Sequence, residues 1–516
     1  MKKIATLLVV VATALAAHAT RHPQPSTFNV PIVVTVNDAL SEQTGVISIV
    51  EDEGLYDLTL KNFMLSSEDG PMGVGNVTLN HIKTYTDGNA TLLLASDQVT
   101  ITDGDDPTVP VWMASMLPPV PVELRGKIED GRLRCFLDID LMSTLGQMIR
   151  VAIGSGYQMP NPSFETWHTS TGDYVEPNAW HSFESATGGL AALAGHHISK
   201  SGDAHSGQSS ARIFATSIFG IVANGTMTTG RMNAGSIVAS DKTNNAYLDM
   251  STTDVDGNGD PFYVPLYARP DSITLWVKFK QGTPNISHPY ATVSAVITDG
   301  TYYQDPEDKD YTNVVARAKN NEIATTDGHW QQVTIPFDYT ENAVDPKAVL
   351  ITVSTNADAG QGSANDEVLI DDIAFIYNAQ VANLKIKGHD VPDFSPDNTA
   401  YEMKLSEAIT PDDIDVIIKG ERTAHIVKTV ETTQDAQHPT LTTCTVHVIN
   451  ADMSAMTTYV IKVTSIDTAI TPQPSTLHPQ PSTFNTLDGR QVNSLEPGHI
   501  YIYRQADGTT TKILRK

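Results

Sequence analysis

Short stretches in which apolar and polar residues alternate recur along most of the chain. Clear examples are residues 58–60 (LTL), 77–79 (VTL), 273–279 (ITLWVKF) and 333–337 (VTIPF). Because successive side chains of a strand point to opposite faces, this spacing predicts short strands with one buried face. Clusters of Gly, Pro, Asn and Asp separate the stretches, and windows with helical spacing are scarce. The pattern predicts an all-β protein built from sandwiches or barrels.

Length and charge limit the function. The chain has 516 residues, which at roughly 100–200 residues per domain predicts three or four domains. The formal net charge of −27 excludes general nucleic-acid binding and disfavours a polybasic membrane patch. Cys135 and Cys444 are the only cysteines, which excludes a disulfide framework and a cysteine-based zinc site. We interpret each as a small buried apolar residue.

The N-terminal sequence has the features of a signal peptide. Lys2 and Lys3 precede an apolar stretch over residues 4–17, and Ala-His-Ala at 17–19 is a small-x-small cleavage pattern. We predict a signal peptide over 1–19 and export to the cell surface, the extracellular space or the periplasm. The apolar stretch is shorter than the ~20 residues that span a bilayer, so no transmembrane segment is predicted.

A proline-rich repeat marks two linkers. The sequence HPQPSTFN occurs at residues 22–29 and again at 478–485. Such segments bury too little apolar surface to offset the entropy of ordering, so we predict extended linkers over 20–29 and 467–484. We prefer this interpretation to a binding motif for a proline-recognition domain.

Residues 30–152 alternate between strands and turns, with Asp-Gly pairs at 87–88, 103–104 and 130–131 that are typical of hairpin loops. The stretches YDLTLKNF, VGNVTLNHI and ELRGKIEDGRLRCFLDIDL resemble the calycin-like β-barrel domain found in exported proteins of Bacteroidetes. The resemblance implies a small up-and-down barrel. Barrels of this size hold one small ligand or are filled by side chains, and we expect a filled barrel.

Three ordered motifs characterise residues 157–378. They are NPSFETW at 161–167, SGDAHSGQSSARIF at 201–214 and EVLIDDIAFIY at 367–377. This order resembles jelly-roll carbohydrate-binding modules and, more closely, the "putative carbohydrate metabolism domain" of gut Bacteroidetes. The resemblance implies a central jelly-roll β-sandwich that associates with glycans, and it implies no particular reaction.

Three carboxylates in these motifs form a candidate calcium site. The first and last strands of a jelly roll lie close together, so Glu165 can approach Asp371 and Asp372. Carboxylate oxygens suit Ca²⁺, and the resemblance to carbohydrate-binding modules implies a structural calcium ion there. Glu165 and Asp372 are the main candidates, because strand alternation turns Asp371 to the opposite face. The alternative is a carboxylate cluster that is solvated or paired with Arg212.

Residues 254–260 (DVDGNGD) look like the start of an EF-hand loop. Pro265 stands where such a loop requires a bidentate glutamate. We therefore predict a polar turn between strands rather than a calcium site.

Aromatic side chains are the candidates for sugar contact, because sugars stack on aromatic faces beside polar groups. On its strand, Trp276 alternates with apolar residues, which predicts an outer-face position beside Thr274 and Lys278. We predict a stacking platform at Trp276, with coverage by a loop as the alternative. Trp180 and Tyr302 are further candidates for ligand binding.

A catalytic arrangement is not evident. No motif singles out the carboxylate pair that glycoside hydrolysis requires, and no G-x-S-x-G, H-E-x-x-H or phosphate-binding loop occurs. The sequence therefore favours binding over catalysis.

Residues 379–466 resemble the cadherin-like β-sandwich domain of bacterial surface proteins. The resemblance depends on Leu384, FSPDNTAY at 394–401 and YVIKV at 459–463. It implies an Ig-like or cadherin-like sandwich that acts as a spacer or a display module.

The last segment, residues 485–516, resembles the C-terminal sorting segment of type IX secretion substrates. The match lies in LDGRQV at 487–492, IYIY at 500–503 and the basic end of the chain. The alternative is an ordinary closing β-hairpin, and both interpretations predict strands.

Together these observations predict an exported, all-β surface protein that binds a glycan without catalysing a reaction. One alternative is a structural adhesin or assembly protein that binds other proteins. Another is a glycoside hydrolase or lyase whose carboxylates no motif identifies. A cleft with two close carboxylates would favour the last, and an apolar surface or an unpaired sheet edge would favour the adhesin.

Overall fold

The computed structural model describes residues 25–36, 39–65, 70–170, 172–218, 220–342, 344–405, 407–419, 423–433, 441–464, 471–472, 483–504 and 509–516. The predicted signal peptide, residues 20–24 of the first predicted linker and most of the second linker lie outside the described residues. Residues 26–29 of the first linker instead belong to a strand, Ser26–Val36, that pairs with Ala39–Asp52, so the barrel begins earlier than the repeat indicates. Strands dominate, so the predicted all-β fold is confirmed. The described chain forms two compact units, of which the first holds the residues up to Ala379 with 423–425 and Ile449–Met456. The second unit holds the remaining residues from Gln380 onward.

An N-terminal barrel is built from strands that each pair with the next. Its strands are β1 (Ser26–Val36), β2 (Ala39–Asp52), β3 (Leu55–Leu65), β4 (Met72–Asp87), β5 (Ala90–Val99), β6 (Val120–Glu129), β7 (Arg132–Leu141) and β8 (Gln147–Ile153). Antiparallel pairing of β1 with β8 closes the barrel. Apolar side chains from every strand form one core, among them Ile32, Ile47, Leu60, Val77, Leu93, Leu124, Leu137 and Val151. This packing agrees with the expected small barrel.

A jelly roll follows in the same unit. Its strands are β9 (Trp167–Thr169), β10 (Val175–Pro177), β11 (Ile198–Ser201), β12 (Ser210–Phe214), β13 (Thr216–Ile218), β14 (Ile221–Ala223), β15 (Thr226–Thr228), β16 (Arg231–Ala234), β17 (Asn244–Tyr247), β18 (Asp249–Thr253), β19 (Pro261–Phe262), β20 (Val264–Pro265), β21 (Ser272–Lys280), β22 (Ala291–Thr298), β23 (Gln304–Asp305), β24 (Val314–Ile323), β25 (Gln331–Pro336), β26 (Asp338–Tyr339), β27 (Ala348–Ser354) and β28 (Glu367–Ile376). Short helices are α1 (Met142–Leu145) and α2 (Ala191–Ala194), with 3₁₀ turns at Ala114–Met116, Phe183–Ser185 and Pro411–Asp413.

Two sheets of the jelly roll enclose its core. Sheet I has the strand order β11-β12-β28-β21-β25, and sheet II has the order β15-β27-β22-β24-β26 with β20 beside β27. The inward positions are apolar in both sheets, as the alternation predicts, and the core contains Trp180, Ile213, Leu275, Val293, Ile351 and Ile370. The outer faces of the sheets therefore carry the polar positions that are available for binding.

Short ribbons surround these sheets. They pair β9 with β10, β13 with β14, β18 with β19, and β16 with β17 and β23. Residues 254–260, predicted as a polar turn, connect β18 to β19. Each ribbon brings loop residues close to a sheet. The β13–β14 ribbon contributes to one candidate site, and the β9–β10 and β18–β19 ribbons contribute to another.

The second unit contains a sandwich. Its strands are β29 (Val381–Ile386), β30 (His389–Asp390), β31 (Ala400–Lys404), β32 (Ile414–Ile418), β33 (Ala424–Thr433), β34 (Leu441–Asn450) and β35 (Met456–Thr464). They form sheets of order β30-β29-β32 and β31-β35-β34-β33. In the FSPDNTAY motif, Phe394 stacks on Tyr401 with ring centroids 5.4 Å apart, and the Tyr401 hydroxyl donates to the carbonyl of Ser395 at 2.6 Å.

The C-terminal segment forms a small sheet of order β36-β40-β39-β37-β38. Its strands are β36 (Thr471–Pro472), β37 (Thr483–Thr486), β38 (Gln491–Val492), β39 (Ile500–Arg504) and β40 (Thr510–Leu514). A role in sorting stays a prediction. Among the described residues no helix is both long and apolar enough to cross a membrane.

Candidate functional site

The carboxylates predicted to bind calcium hold the loop between β11 and β12, residues 202–209. Glu165 Oε1 accepts two backbone N–H groups near the end of this loop at 2.8 and 3.0 Å. Asp371 Oδ2 accepts two more near its middle at 2.7 and 3.2 Å. Burial and the charge of Asp372 raise the pKa of Asp371 to about 7. Both carboxylates thus anchor the loop through its backbone.

Asp372 holds the same loop through side chains. It accepts hydroxyl groups of Ser163 and Ser206, each at 2.7 Å, and its Oδ2 lies 2.6 Å from His205 Nδ1. Asp372 has a φ of 47° at an irregularity in the β21–β28 pairing. Because this irregularity breaks the alternation of β28, two consecutive carboxylates reach one loop, which simple alternation did not predict. Arg212 pairs instead with Glu367.

The predicted aromatic residues lie in three different places. Trp276 is half-buried on sheet I, and the His205 ring stacks on it with centroids 3.8 Å apart. Trp180 is completely buried in the core beside Phe164. Tyr302 is exposed in the loop before β23, where its hydroxyl donates to Gln304 at 2.9 Å. The structure therefore does not assemble a shared aromatic platform from them.

A cleft of about 490 Å³ lies over the outer face of sheet II. This volume is in the range of small-molecule pockets, roughly 300–1,000 Å³. Its floor consists of hydroxyl, amide and ammonium side chains that alternate with core residues along the strands, namely Thr226, Thr292, Ser294, Lys319, Asn321, Thr352 and Ser354. The sheet thus presents a row of polar groups on a rigid surface.

Strand register sets the spacing of the floor. Thr292 lies opposite Ser354, and Ser294 lies opposite Thr352 on the neighbouring strand. Thr292 Oγ1 donates to Asn321 Oδ1 at 2.7 Å. Because neighbouring strands are ~4.8 Å apart, the floor offers hydroxyl groups side by side on adjacent strands.

Two amide oxygens at the cleft lack partners. Asn224 Oδ1 and Asn245 Oδ1 are buried and accept no hydrogen bond from a described residue. Their Nδ2 groups donate to the backbone carbonyls of Asp358 at 3.0 Å and Lys242 at 2.8 Å, which fixes the orientation of each amide. Buried acceptors without partners cost about 1–3 kcal/mol each. Both oxygens are closed off from solvent, so they lie beneath the cleft surface and do not face a ligand directly.

The walls of the cleft are aliphatic and local in sequence. They come from α2 and its neighbours, from the β13–β14 ribbon and from the turn after β16, and they include Leu190, Leu193, Ala194, Ile218, Ile221, Val222, Ile237 and Ala239. Of the described lining residues, Asp305 is the one carboxylate. An aliphatic wall over a polar floor fits a ligand with one apolar and one hydroxylated face.

Sequence reasoning did not find this cleft. The polar positions of ATVSAVIT and VLITVS, in β22 and β27, were visible as alternation. Alternation shows which side of a strand is polar. It does not show whether a neighbouring ribbon covers that side, because that depends on tertiary packing.

Comparisons with known proteins place the barrel in a family. No curated protein matches the chain. A crystal structure described as "a putative glycoside hydrolase" from Bacteroides thetaiotaomicron shares 12% identity, with a TM-score of 0.31 over 67% of this chain and 84% of that one. One described as "a putative outer membrane protein" from Bacteroides fragilis shares 12% identity, with a TM-score of 0.18 over 64% and 96%. Residues 27–152 match the family of the calycin-like beta-barrel domain.

Proposed function

We propose that this chain is an exported protein that binds a glycan in the cleft on sheet II and does not catalyse a reaction. The observation that carries this proposal is the polar floor of sheet II beneath aliphatic walls. Sugar hydroxyls donate and accept hydrogen bonds, and their C–H faces pack on apolar side chains.

The charge of the site favours binding over hydrolysis. Glycoside hydrolysis uses two carboxyl groups about 5–10 Å apart. The described residues that line the cleft supply one, on Asp305. The net charge of −27 also disfavours polyanionic glycans, so a neutral glycan is the expected ligand.

The test is a glycan-array screen of the full chain, followed by calorimetry with the best ligand. The floor variant Thr292→Val with Ser354→Ala removes two hydroxyl groups that face each other across strands. Two lost hydrogen bonds of about 0.5–1.5 kcal/mol each correspond to a fall in affinity of about 5- to 150-fold.

Thr334→Val is the matched control. Thr334 is an exposed threonine that lies opposite Thr274 on sheet I, away from the cleft floor. It should leave the affinity unchanged. The proposal is wrong if no glycan binds, or if the floor variant binds its glycan as tightly as the unaltered chain.

A protein partner is the second candidate. Ile221, Ile237 and Leu193 are at least half exposed at the rim of the cleft. Exposed aliphatic clusters are typical of surfaces that bind other proteins. A negative glycan screen together with loss of a captured partner on Ile237→Ser would favour this adhesin function.

A further inference from the structure

Four titratable side chains meet in the interior, between the β9–β10 ribbon and the turn from β18 to β19. His168 and Glu176 are cross-strand partners on the ribbon, His181 follows it, and Asp254 begins the turn. Ligand atoms of His168, Glu176 and Asp254 all lie within 4.8 Å of one another. His168 Nε2 lies 3.6 Å and His181 Nδ1 lies 4.0 Å from Asp254 Oδ2.

The group is enclosed by protein. Glu176 and His181 are completely buried, and Asp254 is 4% exposed. His168 Nε2, His181 Nδ1 and Asp254 Oδ2 are each buried without a hydrogen-bond partner among the described residues. Water is thus largely excluded from a point on which three unpartnered atoms converge.

Neighbouring acceptors determine which nitrogen of each imidazole carries a proton. His168 Nδ1 lies 3.1 Å from Asn178 Oδ1, which also accepts the side-chain amide of Asn258. His181 Nε2 lies 3.3 Å from the carbonyl oxygen of Pro261. Since both partners accept, these nitrogens donate, and when neutral each ring directs the lone pair of its other nitrogen toward Asp254.

Lone pairs of two imidazoles and a carboxylate therefore face one another in a buried space. Without a cation this arrangement costs the desolvation free energy of each unpaired acceptor. A metal ion would satisfy all of them. The outer hydrogen bonds to Asn178 and Pro261 are of the kind that orients metal-bound histidines.

Gly257 borders the site without occupying it. A Cβ added at this position would lie 2.9 Å from His168 Nε2 and closer still to Asp254 Oδ2. The backbone of the turn therefore comes close to both ligand atoms, and this approach requires a glycine at position 257. Glu176, on the opposite side, is held by the backbone N–H and the hydroxyl of Ser182 at 2.6 and 2.5 Å.

We propose that His168, Glu176 and Asp254, with His181 as a fourth donor, bind a divalent transition-metal ion such as Zn²⁺. Metal–ligand distances of about 2.1 Å in a tetrahedron separate ligand atoms by ~3.4 Å. The two histidines lie 3.6 and 4.0 Å from Asp254, and the group with Glu176 lies within 4.8 Å, so a bound ion would draw the ligands slightly closer together. Two imidazole nitrogens favour zinc and its neighbours over calcium. A closed site of this kind is structural, and it holds the turn on the ribbon independently of the glycan cleft.

The first experiment measures metal in the full chain after dialysis against Zn²⁺ and, separately, Ca²⁺. One zinc per chain is expected, with an increase in the thermal unfolding midpoint that a chelator reverses. Replacement by Co²⁺ should give the visible absorption of a tetrahedral nitrogen–oxygen site.

Two variants locate the ion. His168→Gln removes a ligand, and Gly257→Ala keeps every ligand while filling the adjacent space. Each should weaken zinc binding about 100-fold or more. His288→Gln is the matched control, because His288 pairs with Asp358 at 2.7 Å near the surface. It should retain the full metal content.

Several results would overturn the proposal. If the chain stays free of metal, the site contains no ion, and a protonated His168 pairs with Asp254 instead. Binding of Ca²⁺ alone, or a zinc content in both variants equal to that of the unaltered chain, would contradict it as well. If neither variant folds, X-ray absorption of the unaltered chain decides, since sulfur ligands or a lack of imidazole scattering would place the ion elsewhere.

Discussion

The imidazole of His205 stacks on the indole of Trp276 with ring centroids 3.8 Å apart and an interplanar angle of 12°. Asp372 holds this imidazole in place at 2.6 Å. Trp276 therefore lies on the outer part of sheet I, as its strand pattern predicts, but one face of its ring already has a partner. This contact corresponds to the alternative in which a loop covers Trp276.

From this contact we expect Trp276→Ala to change glycan affinity less than twofold. The variant should instead loosen the loop over residues 202–209 and speed its cleavage by a protease, because that loop loses its packing surface. Calorimetry and limited proteolysis measure the two effects. A tenfold loss of glycan affinity would instead indicate that Trp276 contacts the ligand.

Calcium at Glu165, Asp371 and Asp372 stays a prediction with a direct test. If the ion binds, added Ca²⁺ raises the thermal unfolding midpoint of the chain, and Glu165→Gln removes the increase. Any increase caused by Zn²⁺ should not depend on Glu165, because the donors at this site are all oxygen atoms. An unchanged midpoint would leave anchoring of the loop as the role of the three carboxylates.

Both thiols should be inert in the folded chain. Cys135 and Cys444 are free and buried, and burial raises the pKa of Cys135 to about 12 and of Cys444 to about 11. At pH 8 neither is a thiolate, so a thiol reagent should react with less than a tenth of them. In denaturant two thiols per chain should react, and rapid reaction of the native chain would contradict their burial.

Acid should loosen the turn at Pro411–Asp413. Hydrogen bonds from Thr410, aided by Lys387, lower the pKa of Asp413 to about 2. An unfolded aspartate titrates near 3.9, so the folded state binds fewer protons in the interval between these values. The stabilisation is full above about pH 4 and is lost as the pH falls toward 2.

Hydrogen exchange of the amides at 410–418 measures this effect. Exchange, corrected for its intrinsic pH dependence, should accelerate between pH 4 and pH 2.5 in the unaltered chain. In Asp413→Asn it should already be faster at pH 5 and change little with acid. A flat profile in the unaltered chain would show that the hydrogen bonds do not depend on the charge.

The fold was largely predictable because alternation reports which face of a strand is buried. Ile273, Leu275 and Val277 are in the core, as their spacing indicates. The candidate sites could be predicted less well, and the carboxylate cluster depends on a local departure from strand regularity. The irregularity at Asp372 turns two adjacent carboxylates to one loop.

The His168 and Asp254 pair illustrates a second limit. These residues are far apart in sequence, and the turn at 254–260 was correctly predicted to be polar. Nothing in its composition indicates that one carboxylate points inward to two imidazoles. That contact results from packing of one ribbon on another, which a residue pattern does not encode.

The floor and the walls of the cleft differ in how much of the fold depends on them. Apart from Thr226 on the edge strand β15, the floor belongs to the longer strands β22, β24 and β27, each of which has two neighbours. The walls come from three-residue strands, a four-residue helix and a turn. Substitutions at Ile221 or Ile237 can therefore change ligand preference at little cost in folding. Exchange of the wall segments would change the apolar surface while the sheet stays intact, so a library at these positions would test the jelly roll as a scaffold for engineered binders.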